Sequence, residues 1–254
     1  MELIFSCCLY GNDKRYIDPL FSNDLEYIQN FLNVNCSFYI YCNNDVEDDV
    51  KLRLVKYGYK VIDVDFRALN MGAMFVRYLP IIEELSDIVC VRDTDCCYSD
   101  TELVLIKEWL GSKYDFHIIR GHPLHIYPIM GGLFSIRGEE VYNFKKIFHE
   151  NINLAQSSKY NQDQLFLARK IYPEITNKAL VHTVRLAYSN ENYIHYNSKD
   201  GFIGETILGD EKREKEKEIS KLKLKPLVLN QMFSKLTVNR VFARLITMLS
   251  KGMR

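Results

Sequence analysis

Two aspartates one residue apart, Asp93 and Asp95, are the feature of this sequence best suited to chemistry. They follow a short apolar stretch, residues 87–92 (DIVCVR), whose composition predicts a buried strand. In open α/β sheets, ligands bind just beyond the carboxyl ends of the strands. Two carboxylates in such a loop can converge on one Mg²⁺ or Mn²⁺ that is shared with a diphosphate. The alternative interpretation is a polar turn that merely ends a strand.

The elements that would position these aspartates alternate between strand and helix patterns. Apolar or aromatic runs predict strands, and apolar residues three or four apart predict helices. This alternation predicts an α/β fold with a mostly parallel central sheet flanked by helices. The predicted strands are residues 3–10, 37–42, 59–64, 87–92, 116–120, 133–136 and 179–182, and the predicted helices are residues 24–32, 45–57, 72–85 with a kink at Pro80, 99–110, 139–149 and 162–171.

Composition is that of an ordinary globular protein. The 254 residues are 47% hydrophobic and 26% charged with no net charge, which excludes wholesale disorder. The seven cysteines are odd in number and contain no CxxC pair, so a disulfide framework or zinc knuckle is not expected, and a reducing compartment is. We find no signal peptide and no stretch of 18 apolar residues, and therefore predict a cytoplasmic protein.

The carboxyl-terminal end carries a charge asymmetry. Residues 219–254 contain eight basic residues and no acidic one, which leaves the rest of the chain net acidic and argues against a nucleic-acid-binding face. Apolar residues recur at helical spacing between those charges. We predict a domain of residues 1–208, a charged hinge at 209–221 and a basic amphipathic tail at 222–254 that lies on an anionic membrane surface, on its cytoplasmic side. A terminal helix packed on the body or on a partner is the alternative.

The stretch from about Phe66 to Glu205 resembles a family of nucleotide-sugar glycosyltransferases of the GT-A fold, found in bacterial surface-polysaccharide loci and in large DNA viruses. Individually the matching pieces are short, and their order and spacing carry the resemblance. They are RYLP at 77–80, RDTD at 92–95, EWLGS at 108–112, RxHPxH at 120–125, IMGG at 129–132, DQLFLARKIYP at 163–173 and GFIGE at 201–205.

The resemblance implies roles for individual residues of a metal and nucleotide site. Asp95 would bind the Mn²⁺ or Mg²⁺, and Asp93 would contact the metal, its water shell or the ribose. The family often completes the metal site with a late histidine, for which His182 is the best match and His195 the rival. Further contacts to the nucleotide donor are implied for Tyr10, Gly11, Arg77 and Arg92, with a strand-end tyrosine and a surface arginine as the plain alternatives for Tyr10 and Arg77.

The acceptor side of the reaction has its own candidates. A carboxylate within reach of the acceptor hydroxyl suits either an inverting or a retaining transfer, and Asp163 is our candidate. A helix-initiating Asp that interacts with the helix dipole is the alternative. Gly131 and Gly132 would let the backbone approach an acceptor sugar closely, unless they only form a tight hairpin. His122 and His125 are candidate acceptor contacts.

These observations predict a metal-dependent glycosyltransferase that moves a sugar from a nucleotide diphosphate, UDP above others, to a surface glycan or lipid-linked oligosaccharide. Two alternatives stay open. A nucleotidyltransferase acting on sugar phosphates also pairs carboxylates on an α/β sheet, but the stretch CCLYGNDKR lacks its glycine-rich phosphate loop. A non-catalytic scaffold could retain the same fold.

Overall fold

A computed structural model describes residues 2–123, 125, 127–156, 161–197, 202–204 and 227–229. Its centre is an eight-stranded sheet with strand order β3-β2-β1-β4-β6-β5-β7-β9, and β10 pairs with β8 beside it. The strands are β1 (Glu2–Leu9), β2 (Asn35–Asn43), β3 (Lys60–Val64), β4 (Ile88–Arg92), β5 (Phe116–Arg120), β6 (Leu133–Arg137), β7 (Ala179–Thr183), β8 (Leu186–Tyr188), β9 (Asn192–His195) and β10 (Leu227–Leu229).

The sheet is parallel except at one strand. β1, β2, β3 and β4 pair in parallel, as do β5, β7 and β9, whereas β6 runs antiparallel to both β4 and β5. The predicted α/β fold with a mostly parallel sheet is therefore confirmed. The reversed strand was not predicted, and it matters because β6 begins at the edge of the sheet where its neighbours end.

Helices cover both faces of the sheet. One apolar core contains residues of β1 and β4 and the helices that cover one face, whereas Val89 and Val91 of β4 pack into a second core with the helices that cover the other face. The helices are α1 (Lys14–Ile17), α2 (Leu25–Leu32), α3 (Asp48–Tyr57), α4 (Leu79–Ile82), α5 (Asp100–Leu110), α6 (Glu139–Glu150), α7 (Ile152–Ala155), α8 (Gln162–Phe166) and α9 (Tyr172–Ile175), with 3₁₀ turns at Asp18–Ser22 and Ala73–Tyr78 and a π turn at Leu167–Ile171.

Two predicted helices are subdivided. The helix expected over residues 72–85 is a 3₁₀ turn followed by α4, because Pro80 has no N–H to donate and sits in the first turn of the second segment. The helix expected over 162–171 passes through the π turn between α8 and α9. Ser99 caps the first turn of α5, since its hydroxyl accepts from the Glu102 N–H at 3.2 Å.

The predicted hinge and most of the predicted tail lie outside the described residues. Within the predicted tail, Leu227–Leu229 forms β10 and pairs in parallel with β8, so this short piece packs on the body of the protein. Among the described residues, no helix is both long enough and apolar enough to cross a bilayer.

Candidate functional site

A cavity of about 870 Å³ opens at the carboxyl ends of β1 to β4. Its position follows from topology, because parallel strands deliver the loops that follow them to one edge of the sheet. Each of these four strands contributes polar or aromatic residues to its wall. They are Tyr10 and Arg15 after β1, Asn43 and Asp45 around the end of β2, Phe66 and Arg67 after β3, and Asp93, Thr94 and Asp95 after β4.

Arg77 organises the inner wall of this cavity. Its side chain is 1% exposed and forms ion pairs with Asp93 and with Asp163, the latter at 2.7 Å between Nη2 and Oδ2. Burial by itself lowers the pKa of Arg77, but the two carboxylates outweigh burial and hold that pKa well above its usual value. Arg77 is thus a fixed cation that links the loop after β4 to the start of α8.

The glycine pair lies directly against this ion cluster. Register explains why: Leu133 of β6 pairs with Arg92 of β4, so the residue before Leu133 faces the residue after Arg92. A Cβ on Gly132 would overlap the Asp93 carboxylate and lie 2.8 Å from its backbone nitrogen. The close approach that Gly132 allows to the backbone is therefore an approach to Asp93, and not to an open space.

Gly131 is equally confined on the other side of the cluster. A Cβ there would overlap the Arg77 guanidinium and lie 2.7 Å from Asp163 Oδ2. The Gln164 side chain holds the turn, since its amide can donate to the Ile129 carbonyl at 3.1 Å and accept from the Gly131 N–H at 2.8 Å. Both glycines are needed because the charged side chains fill the volume that a larger residue would occupy.

The outer wall carries Asp95 and Tyr10, and Gly11, the other residue predicted from the end of β1, follows Tyr10 without lining the cavity. Asp95 forms an ion pair with Arg15 at 3.2 Å. Tyr10 is 43% exposed, lines the cavity and packs edge-on against Phe66. Gly11 adopts a left-handed backbone with φ of 69°, and its N–H donates to Asp45 Oδ1 at 2.9 Å. The side chains of Tyr10 and Asp45 therefore form one end of the cavity.

The cavity offers carboxylate oxygens as ligands for the predicted metal ion. Among the described residues, no three His, Cys, Asp or Glu side chains are grouped to hold an ion. Asp93 and Asp95 both line the cavity, and two carboxylates suffice for a cation that takes its other ligands from substrate phosphates and water. The residues fit a shared cation and not a cage made of protein ligands alone.

Arg92 is placed away from the cavity. Successive residues of a strand point to opposite faces, so Arg92 leaves the sheet on the side opposite to Asp93. There its guanidinium lies 3.0 Å from the Glu102 carboxylate and 4.8 Å from the Tyr98 ring centroid, and both charged side chains are buried. The structure gives Arg92 a buried ion pair with α5 where the resemblance implied a donor contact.

His182 is also not brought to the two aspartates. It is fully buried on β7, with Nδ1 2.8 Å from His117 Nε2 and with Nε2 3.2 Å from Glu108 of α5. Burial lowers the pKa of His182, although Glu108 opposes this effect. The rival His195, on the edge strand β9, does not line the described cavity either, and its ring nitrogens make no hydrogen bond with the described residues.

His122 and His125 lie in the loop after β5 and face the short segment 202–204. The Phe202 ring packs edge-on against His122 with centroids 4.7 Å apart, and a Cβ on Gly204 would lie 3.5 Å from His125. Burial, helped by His122 and Arg120, lowers the pKa of His125 to about 3. The two histidines thus lie against Phe202 and Gly204, and neither histidine lines the cavity in the part of the chain described.

Sequence reasoning missed several residues of the cavity wall. Arg15, Asp45 and Arg67 follow predicted strands, as Asp93 does, and each lines the cavity. The topological rule applied to Asp93 would have found them, had it been applied to every strand of the predicted sheet. Asp163 was predicted and does line the cavity, although its Oδ2 atom is bound by Arg77.

Comparisons with known proteins give structural likenesses only. The sequence matches no family in a scan of known protein families, and no curated protein matches it. Three similar solved structures are a glycosyltransferase involved in glycosylation of the major capsid of PBCV-1 (12% identity, TM-score 0.45, 86% of this chain and 98% of that one), the galactosyltransferase LgtC in complex with donor and acceptor sugar analogs (11%, 0.49, 87% and 95%) and the mannosyltransferase PcManGT from Pyrobaculum calidifontis in complex with GDP-Man and Mn²⁺ (12%, 0.49, 79% and 58%). All three likenesses are remote, so we base the function on the site residues.

Proposed function

We propose that this chain is a metal-dependent glycosyltransferase that transfers a sugar from a nucleotide diphosphate donor. One observation carries the proposal: Asp93 and Asp95 lie together at the carboxyl end of β4 in the wall of a single large cavity. Its volume of about 870 Å³ falls within the range of roughly 300–1,000 Å³ that is usual for small-molecule sites. The sequence resemblance described above supports the same activity.

The cavity offers distinct surroundings to the two ends of such a donor. At one end, the exposed Tyr10 ring provides a flat face for a base, and Asn43 and Asp45 provide amide and carboxylate groups. Near the other end, Asp93 and Asp95 would hold a divalent cation, which supplies charge stabilisation to the diphosphate as it leaves. UDP is our proposed nucleotide, a choice that rests on the resemblance.

Arg77 and Asp163 form the wall beyond the aspartates. Arg77 orients the Asp93 carboxylate from inside the protein, so that this side chain does not have to be ordered when a donor binds. Asp163 lines the same cavity, and its Oδ1 atom makes no hydrogen bond with the described residues. We therefore retain Asp163 as the proposed carboxylate that serves the acceptor hydroxyl. A surface glycan or lipid-linked oligosaccharide as acceptor, and a membrane-bound tail, remain proposals from the sequence.

Nucleotide binding tests this proposal directly. We expect calorimetry to show UDP binding in Mn²⁺ that is lost in EDTA, and to show at least a tenfold loss for Asp95→Asn, which removes one charged ligand but keeps the side-chain shape. Asp49→Asn, at an exposed position in the first turn of α3, makes the same change of charge away from the cavity and should bind as the wild type does.

The other outcomes separate the alternatives. Equal UDP affinity with and without EDTA would remove the bridging cation from the proposal. A scaffold should bind no nucleotide under any of these conditions. A nucleotidyltransferase should release pyrophosphate from a nucleoside triphosphate and a sugar phosphate, and should not release UDP from a UDP-sugar.

A further inference from the structure

The two aspartates of the cavity are each paired with an arginine, but the two arginines differ in their freedom to move. Arg77 is 1% exposed and is held by two carboxylates. The Arg15 side chain is 41% exposed and forms an ion pair with Asp95 at 3.2 Å. An exposed pair of this kind contributes about 0–1 kcal/mol and breaks readily.

The backbone holds Arg15 in the wall of the cavity, and its guanidinium lies at the end of a long, partly exposed side chain. The Arg15 N–H donates to Asp13 Oδ1 at 2.9 Å, which caps the short helix α1 just after β1. The guanidinium carbon lies 5.2 Å from the Tyr16 ring centroid, and both Arg15 and Tyr16 line the cavity. Rotation of the long side chain can therefore move the charge within the cavity without moving the backbone.

A divalent cation at Asp95 would compete with Arg15 for the same carboxylate. The displaced guanidinium would then lie beside the region proposed for the diphosphate, and its fork of N–H groups matches phosphate oxygens in two-point contacts. We propose that Arg15 neutralises Asp95 while the site is empty, and binds the diphosphate of the donor once a cation has taken Asp95. This assignment rests on the proposed function.

The exchange makes cation and nucleotide binding depend on one another. In the empty site Arg15 opposes the cation, whereas with the diphosphate present it has a second anion to bind and no longer competes. Each ligand therefore raises the affinity for the other, as reciprocal coupling requires. A residue that merely stabilised the loop would instead change both affinities in the same direction.

The test measures two affinities, for Mn²⁺ alone and for UDP with Mn²⁺, which loss of the Arg15 charge should change in opposite directions. Mn²⁺ binding is measured alone by electron paramagnetic resonance, and UDP binding in saturating Mn²⁺ by calorimetry, for wild type and Arg15→Gln. We expect Arg15→Gln to bind Mn²⁺ alone about two- to fivefold more tightly, since a competing surface pair is lost. We expect it to bind UDP roughly tenfold more weakly, since a charge-assisted hydrogen bond is lost.

Two further variants control for charge and for shape. Lys14→Gln makes the same change of charge at the neighbouring exposed position, which does not line the cavity, and should leave both affinities within about twofold of wild type. Arg15→Lys keeps the charge without the fork and should recover part of the UDP affinity.

The proposal is overturned if Arg15→Gln changes neither affinity, lowers both, or is matched by Lys14→Gln. If the wild type binds no nucleotide with Mn²⁺, the proposed function has failed and this inference fails with it. If the wild type binds both ligands while Arg15→Gln behaves as wild type, the function stands and only the role of Arg15 is refuted.

Discussion

Substitution of Gly132 by alanine provides a stringent test of the site, because the change adds one methyl group and no charge. That methyl group would overlap the Asp93 carboxylate and lie 2.8 Å from the Asp93 backbone nitrogen, several tenths of an ångström inside normal contact. A side-chain tip could turn away, but the backbone nitrogen of Asp93 directly follows β4 and cannot do so. Either the β4–β6 pairing or the position of Asp93 must therefore change.

The magnitude follows from the size of this overlap. Forcing one methyl group into a filled site costs about 1–3 kcal/mol. For a chain of this length, each kcal/mol lowers the melting temperature by roughly 2–4 °C, so we expect a fall of about 2–12 °C for Gly132→Ala. Because Asp93 is displaced, we also expect UDP affinity in Mn²⁺ to fall at least tenfold, about 1.4 kcal/mol.

Thermal melting and calorimetry on the same samples measure both effects. Gly111→Ala is the matched control, since a Cβ there would meet nothing closer than 3.7 Å and its φ of −81° suits any residue. It should melt within about 2 °C of wild type and bind UDP normally. Wild-type melting and UDP binding in Gly132→Ala would refute the inference that this turn holds Asp93 in a donor site.

Two further predictions concern stability. Arg77→Met leaves the Asp163 carboxylate buried without its counter-ion and should lower the free energy of unfolding by about 3–5 kcal/mol in urea titrations; a loss below about 1 kcal/mol would show that the pair is not buried in solution. The buried His182 has a pKa below its ordinary 6.5, as do His117 and His125, so the unfolded chain takes up protons that the native protein does not. The stability that these neutral histidines contribute should therefore be fully present above about pH 6.5 and should be lost as the pH falls below it. In a plot of the free energy of unfolding against pH, His182→Asn should reduce the limiting slope on the acid side by about 1.4 kcal/mol per pH unit. An unchanged slope would contradict this assignment.

Much of the fold could be predicted because its signals are local. The apolar runs that became β1, β4 and β5 are each long enough for one buried strand and are each bounded by polar residues. The direction of β6 carries no such signal, since a strand buried on both faces has the same composition in either direction. Its antiparallel pairing is decided by contacts between residues distant in sequence.

The sequence predicts those site residues that directly follow a recognisable strand. Asp93 and Asp95 follow from the rule that parallel strands end at the ligand edge. Alternation along β4 would also have separated Arg92 from Asp93, because adjacent residues face opposite sides of a sheet. The surroundings of His182 could not be predicted, since the pattern of a short buried strand does not reveal which helix covers each face.

The order of strands divides the sheet into two consecutive halves of the chain. Residues up to Arg92 supply β3, β2, β1 and β4, residues from Phe116 onward supply β6, β5, β7 and β9, and the two sets meet where β4 pairs with β6.

The ion pair between Arg77 and Asp163 joins the two halves, since Arg77 belongs to the first half and Asp163 to the second. A nascent chain that ends before Gly131 can carry both cavity aspartates, but it lacks the glycine turn that lies against Asp93 and the Asp163 carboxylate that pairs with Arg77. A ligand that binds only the assembled cavity favours the joined state by mass action. Occupancy of the site and cohesion of the two halves are then coupled equilibria.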